Sequence, residues 1–330
     1  MKRVLELTCL MLLVMALLLG CGSISEPVPS ATPTPTPAPL PTMNYVGIKV
    51  YDPVYIGIEK GFFKEAGVDL KLIDLVAGGP TGIQAVAGGS ADAGISSYMA
   101  IINARAAGLP IVAVTDAQSA IGKQALEEFF VRNDSGIKSV KDLKGKKIAV
   151  NLIKSSFYYT WLMALEKEGM TEKDVEFVLL PFDQQEIALA EKRVDAIGLM
   201  QPYVLRAKES KDYSVLFTAL DVFGAKQFSC LFVNSVWAKS NEVAANAFVA
   251  GVTKSIAWAE ANQADAKPLI SKYSKVDIKY IEDYHWQANG AVILPDAQYW
   301  LDYMKGRKDM TAEWLNVEDF ATNKYNKAVK

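Results

Sequence analysis

The chain carries one histidine and three cysteines in 330 residues, and that scarcity removes whole classes of chemistry. Zinc sites of the usual Cys/His kind need several such ligands, and a Ser-His-Asp or Cys-His arrangement would rest on His285 alone. His285 lies between Tyr284 and Trp286 in the C-terminal part, away from the strand ends expected below. Cys9 and Cys21 fall in the first 21 residues, and Cys230 sits in the apolar run 228–233. A disulfide framework is thereby excluded, and Cys230 reads as a core residue. Neither sign of charge dominates, with 35 Lys and Arg against 37 Asp and Glu. Because these charges are scattered, nothing points to nucleic acid or to a second membrane contact. Beyond residue 20, no run of about eighteen apolar residues is long enough to cross a bilayer.

The N-terminus is rich in what the rest lacks. Lys2 and Arg3 precede an apolar run from Cys9 to Leu19, the charged and hydrophobic regions of an export signal. The run stops at Leu18-Leu19-Gly20-Cys21, which matches the lipobox of bacterial lipoproteins, so residues 1–20 are expected to be removed and the Cys21 thiol acylated, by palmitate or a similar chain. Prolines at alternate positions then forbid helix and sheet ladders, so residues 21–43 are expected to be an extended tether. The expected location is the extracytoplasmic side of the cell membrane, held by that lipid.

The remainder exceeds the usual size of one core and suggests two lobes. A weak duplication supports this, with Ala85–Ala93 (AVAGGSADA) echoed by Ala188–Ala196 (ALAEKRVDA), and Glu59-Lys60-Gly61 echoed by Glu166-Lys167-Glu168-Gly169. Apolar periodicity predicts strands over 46–50, 68–75, 93–96 and 111–115, and again over 147–151, 175–180, 196–199 and 214–218. Helices are expected from about 54, 80 and 98, and after residue 240. Alternating strands and helices imply parallel sheets in an α/β fold, with ligands bound where strands end and helices begin. The short apolar stretches 129–131 and 229–234 are the expected crossings between lobes, which places lobe 1 at 44–130 plus 232–330 and lobe 2 at 131–231.

The segment Tyr51–Val68 (YDPVYIGIEKGFFKEAGV) resembles the opening signature of substrate-binding proteins of the nitrate, sulfonate, taurine and thiamine-pyrimidine-precursor group. Further matches follow at 79–94, at 137–150, and at Val194-Asp195-Ala196 with Gln201-Pro202-Tyr203 after it. The resemblance covers about residues 44–325. It implies a type II periplasmic-binding-protein fold, two doubly wound lobes joined by a two-strand hinge. It also implies a monomeric capture subunit that does no chemistry and hands a small molecule to an ABC permease and ATPase.

Candidate ligand contacts are loop residues at the expected cleft edge. In lobe 1 these are Tyr51, Asp52, Tyr55, Gly79, Pro80, Thr81, Ser96, Ser97, Tyr98 and Asp116; in lobe 2 they are Asn151, Ser155, Ser156, Phe157, Gln201, Tyr203 and Phe223. Free N–H groups at helix starts suit an electronegative group. Thr81 and Ser97 could equally cap helices, and Tyr55 and Tyr203 could pack under their own helices. Aromatic residues among the candidates and Lys154 as the one basic residue in a cleft loop favour a flat, neutral heterocycle, riboflavin-like or a thiamine pyrimidine precursor. An alkanesulfonate, taurine or nitrate held by backbone N–H groups is the alternative. The resemblance extends to pyrimidine-synthesising enzymes that use a histidine and a cofactor-binding lysine; with one C-terminal histidine the chain fits that poorly, and no cofactor or metal is expected. A sensory receptor on the same fold would look the same in sequence.

Overall fold

Ten strands alternate with helices in a computed structural model that describes residues 39–119, 124–307, 310 and 312–329. The export signal, Cys21 and residues 22–38 of the tether lie outside the described residues. Leu40–Lys330 forms one unit. Within it the first strand, β1 (Thr42–Gly47), begins inside the expected tether and ends before the expected strand at 46–50 does. The physical reason is burial, since Met43 and Tyr45 are fully covered and Tyr45 donates its hydroxyl to Asp52.

The first half runs β1, α1 (Pro53–Lys60), α2 (Phe62–Ala66), β2 (Asp69–Leu75), α3 (Gly79–Ala87), β3 (Ala93–Ser97), α4 (Tyr98–Ala106) and β4 (Ile111–Ser119). The second runs β5 (Glu127–Arg132), β6 (Lys147–Val150), α5 (Ser156–Lys167), β7 (Glu176–Leu179), α6 (Phe182–Ala190), β8 (Ala196–Met200), α7 (Tyr203–Glu209), β9 (Tyr213–Thr218) and α8 (Ala219–Phe223). The chain then returns through β10 (Gln227–Asn234) to α9 (Ser235–Ser240), α10 (Glu242–Ala261), α11 (Gln263–Ser274) and α12 (Leu294–Gly306).

Two five-stranded sheets result, in the orders β2-β1-β3-β10-β4 and β7-β6-β8-β5-β9. The duplication noticed in sequence is therefore a duplication of topology. In each sheet one strand comes from the crossing chain and runs antiparallel to its two neighbours, β10 between β3 and β4 and β5 between β8 and β9. The expectation of purely parallel sheets is corrected there, because a chain that crosses from one lobe and joins the other's sheet enters from the opposite end. The stretches expected as crossings, 129–131 and 229–234, lie inside β5 and β10, and the passages fall between Ser119 and Glu127 and between Phe223 and Gln227.

Burial explains why these strands read so clearly. Every residue of β3, β4 and β8 is buried, so β8 and the start of β4 (111–114) appear as continuous apolar runs rather than alternating ones, while the far ends of β3 and β4 carry buried polar residues. Helix α10 packs against α1 and α2, where Gly57 and Gly251 let the Phe63 ring lie directly on helix backbone; a Cβ at either glycine would come within 2.5 and 2.4 Å of that ring. Phe63 stacks on Phe248 at 5.9 Å between centroids.

Candidate functional site

In each sheet the strand order reverses direction beside the first strand of the half, between β1 and β3 and between β6 and β8. Such switch points leave a crevice outside the carboxyl ends of the strands. The two crevices face each other across an inner cavity that encloses about 30 Å³. That is room for about two waters, at roughly 10–15 Å³ each. From the first half it is lined by Ile48 after β1, Gly79 and Pro80 opening α3, Ser96 and Ser97 ending β3, Gln118 of β4, and Phe228 and Ser229 of β10. Asn151 and Ser155 between β6 and α5, Ser156 and Phe157 opening α5, Phe182 opening α6 and Met200 ending β8 complete it.

Of the helices that open at this cavity, three bring glycine or serine to its wall at their start, α3, α4 and α5, each of nine or more residues. Helix α3 has no side-chain cap, because its cap residue is Gly78, and Pro80 stands in its first turn. Ser97 caps α4 by accepting from Ala100 N at 3.4 Å, and Ser155 caps α5 by accepting from Tyr158 N at 3.4 Å while donating to Asn151 Oδ1 at 2.8 Å. Pro80 has no N–H, Thr81 N donates to Gly78 O, and Ala100 N and Tyr158 N donate to their caps, so it is the remaining first-turn N–H groups and the partial positive charge of the helix ends that meet from three sides in one small space. Two glycines make the approach possible. A Cβ at Gly79 would lie 2.1 Å from Ser96 Oγ and 2.8 Å from Ser96 Cα, and one at Gly78 would lie 2.7 Å from Asn151 Nδ2 of the other half.

Ser96 is 2% exposed and its hydroxyl has no hydrogen-bond partner. A buried polar atom of this kind costs free energy unless something satisfies it. Among the described residues, no Lys, Arg, His, Asp or Glu lines the inner cavity. His285 sits against Glu260, its Nδ1 2.8 Å from Oε2, with about half its side chain exposed. Just behind the wall stands Glu127, fully buried, accepting from Thr160 Oγ1 at 2.7 Å and bonded also to the cavity residue Ser156. Burial pushes its carboxyl up to about 7.

The sequence candidates divide cleanly. Gly79, Pro80, Ser96, Ser97, Asn151, Ser155, Ser156 and Phe157 are brought together around the inner cavity. Asp52 is instead the N-cap of α1, accepting from Val54 N at 2.9 Å and from Tyr45, with burial raising its carboxyl to about 7. Tyr51 stacks on Tyr284 at 4.6 Å and Tyr55 on Tyr273 at 4.3 Å, both with their hydroxyls on backbone carbonyls. Tyr98 donates to Gln227 at 2.7 Å, and Phe223 packs edge-on against Trp300. Asp116 is fully buried and accepts from Gln287 N, Ser119 Oγ and Gln227 Nε2, each at 2.8 Å. Burial is again the larger effect and lifts its carboxyl to about 6. Thr81 is exposed, as is Lys154. Gln201 donates to Glu282 at 2.8 Å in a separate polar crevice, with its own carbonyl unpartnered. Tyr203 faces a second, outer cavity.

Six lining residues escaped the sequence reading: Ile48, Gln118, Phe182, Met200, Phe228 and Ser229. Phe182 and Met200 are the counterparts in the second half of the positions after β2 and at the end of β3, so the internal echo carried to one residue further would have found them. Phe228 and Ser229 could not be found that way, because β10 belongs to the first sheet only by tertiary pairing.

The family described as NMT1/THI5 like matches residues 50–266. A protein of Brucella abortus named as a binding protein is 30% identical over 230 residues, 69% of each chain. One of Bacillus subtilis named as an aliphatic sulfonates-binding protein is 25% identical over 237 residues, 70% of this chain and 69% of that one. A riboflavin-binding protein of Chloroflexus aurantiacus is 27% identical over 191 residues, 55% of this chain and 51% of its own. Among solved structures, the periplasmic nitrate-binding protein of Synechocystis superposes with a TM-score of 0.73 at 15% identity, covering 87% of both chains, a likeness of fold.

Proposed function

We propose that this chain, which belongs to the NMT1/THI5-like family, is the extracytoplasmic capture subunit of an ABC importer, anchored by lipid on Cys21 and acting as a monomer. The lobes are taken to meet at the two passages, 119–127 and 223–227, rather than at the expected 130/131 and 231/232, because β5 belongs to the second sheet and β10 to the first, and ligand joins their facing edges without chemical change. An ABC permease and ATPase are its partners. The observation that carries the ligand reading is the meeting of three helix N-termini around the unpartnered Ser96 hydroxyl. Donors from both halves and a space of about 30 Å³ suit a compact electronegative group of a few atoms. The names of the relatives are in keeping with a small anion or a heterocycle.

The flat heterocycle expected from sequence finds less support in the inner cavity. Of the aromatic residues counted for it, Phe157 alone is on the wall, and the tyrosines are engaged in packing. The test is thermal unfolding of the full-length protein in mild detergent, followed by the fluorescence of its six tryptophans. Nitrate, taurine, alkanesulfonates, pyrimidine precursors and riboflavin are added in turn, since binding to the folded state alone raises the midpoint. A rise with small anions supports the helix-terminus reading; a rise with riboflavin alone refutes it and leaves the importer role standing.

A further inference from the structure

We propose that the outer cavity is a specificity subsite that receives the body of the ligand and selects a flat ring. This rests on the reading of the inner cavity as the site of a compact electronegative head. The outer cavity holds about 250 Å³ and shares two walls with the inner one, Ile48 and Phe182. A head seated in the inner cavity therefore leads outward between those two side chains.

The two sides of the outer cavity differ in kind. The first half contributes an aliphatic wall, Leu75, Val76 and Ala77. Opposite stand Phe182 and Tyr203, stacked at 6.2 Å between centroids with 26° between planes. Phe157, on the inner wall, meets Phe182 at 4.9 Å and 60°, so an aromatic row continues from one cavity into the next. A ring placed between an aliphatic and an aromatic wall gains area on one side and ring–ring attraction on the other, whereas an alkyl chain gains the area alone. Tyr203 is held in place by its hydroxyl, which reaches Ser274 O across the lobes at 3.3 Å. At the mouth, Lys49 and Asp183 pair across the lobes at 3.4 Å, with side chains 41% and 50% exposed. They offer one charge of each sign to a polar substituent on the far edge of the ring.

The experiment is calorimetric titration of the full-length protein in mild detergent with ligands that share a head: methanesulfonate, hexanesulfonate and benzenesulfonate, and acetate with benzoate. Ring-bearing members should bind at least about tenfold tighter than methyl members and clearly tighter than hexanesulfonate. Ala77→Trp, at an exposed position, fills the slot and should remove that advantage while leaving the methyl member within about threefold; Tyr203→Leu should lower it. Methyl members that bind without any gain from the ring, a gain equalled by hexanesulfonate, or an advantage that survives Ala77→Trp each overturn the ring subsite and leave the head-group reading intact. Binding by no member of either series overturns both.

Discussion

Replacing Ser96 by alanine should make the empty protein more stable and its ligand weaker, an uncommon pairing of signs. The hydroxyl is buried at 2% exposure and without a partner. Leaving such a group unsatisfied costs roughly 1–3 kcal/mol, and alanine removes the group while keeping its Cβ. A gain of about 1 kcal/mol raises the melting midpoint of a domain this size by roughly 2–4 °C. A hydrogen bond to a charged ligand is worth roughly 1.5–3 kcal/mol, so affinity should fall about 10- to 100-fold. The neighbouring residue supplies the contrast. Ser97 caps α4, and its loss to alanine should cost about 1 kcal/mol, lowering the midpoint. Thermal unfolding of both variants by tryptophan fluorescence, with titration of a ligand identified by screening, reads both effects. A lower midpoint for Ser96→Ala would show that the hydroxyl is satisfied in the folded protein. A higher midpoint with unchanged affinity would show that it does not meet the ligand.

Asp116→Ala should destabilise by roughly 2–5 kcal/mol, seen as a lower urea midpoint, because it strands the buried donors of Gln227, Ser119 and Gln287. Glu127 holds its proton up to about pH 7 in the folded state but releases it near 4.5 when unfolded, so stability should fall as pH rises through that window. Glu127→Gln should remove up to roughly 3 kcal/mol of that fall, making the variant more stable than the parent at pH 8 and nearly equal at pH 4 in urea titrations; parallel curves for the two would refute it. Gly79→Ala drives a methyl into the backbone of Ser96, which should cost roughly 1–3 kcal/mol and abolish measurable binding, checked by melting and titration together.

Much of the strand pattern was legible because burial on both faces writes a strand as a short apolar run, as at 111–114 and in Ala196–Met200. The internal echo likewise betrayed two halves of one topology. The serines and glycines where strands give way to helices were readable as helix starts, and eight of them and their neighbours do meet around one cavity. Polar residues at strand ends gave no such guidance. Asp52, Asp116 and Gln201 resemble binding residues in sequence, yet Asp52 is satisfied by its near neighbours Tyr45 and Val54, Asp116 by groups more than a hundred residues along the chain, and Gln201 reaches across the lobes to Glu282.

By itself the amino-acid sequence determined the order of elements, the two halves and the helix starts, since these follow from local periodicity, capping chemistry and glycine or proline punctuation. Only the tertiary structure decided which strand joins which sheet, and so put Phe228 and Ser229 of β10 beside Ser96. It also decided which hydroxyl is left without a partner, because that depends on every neighbour within hydrogen-bond reach, most of them remote in sequence.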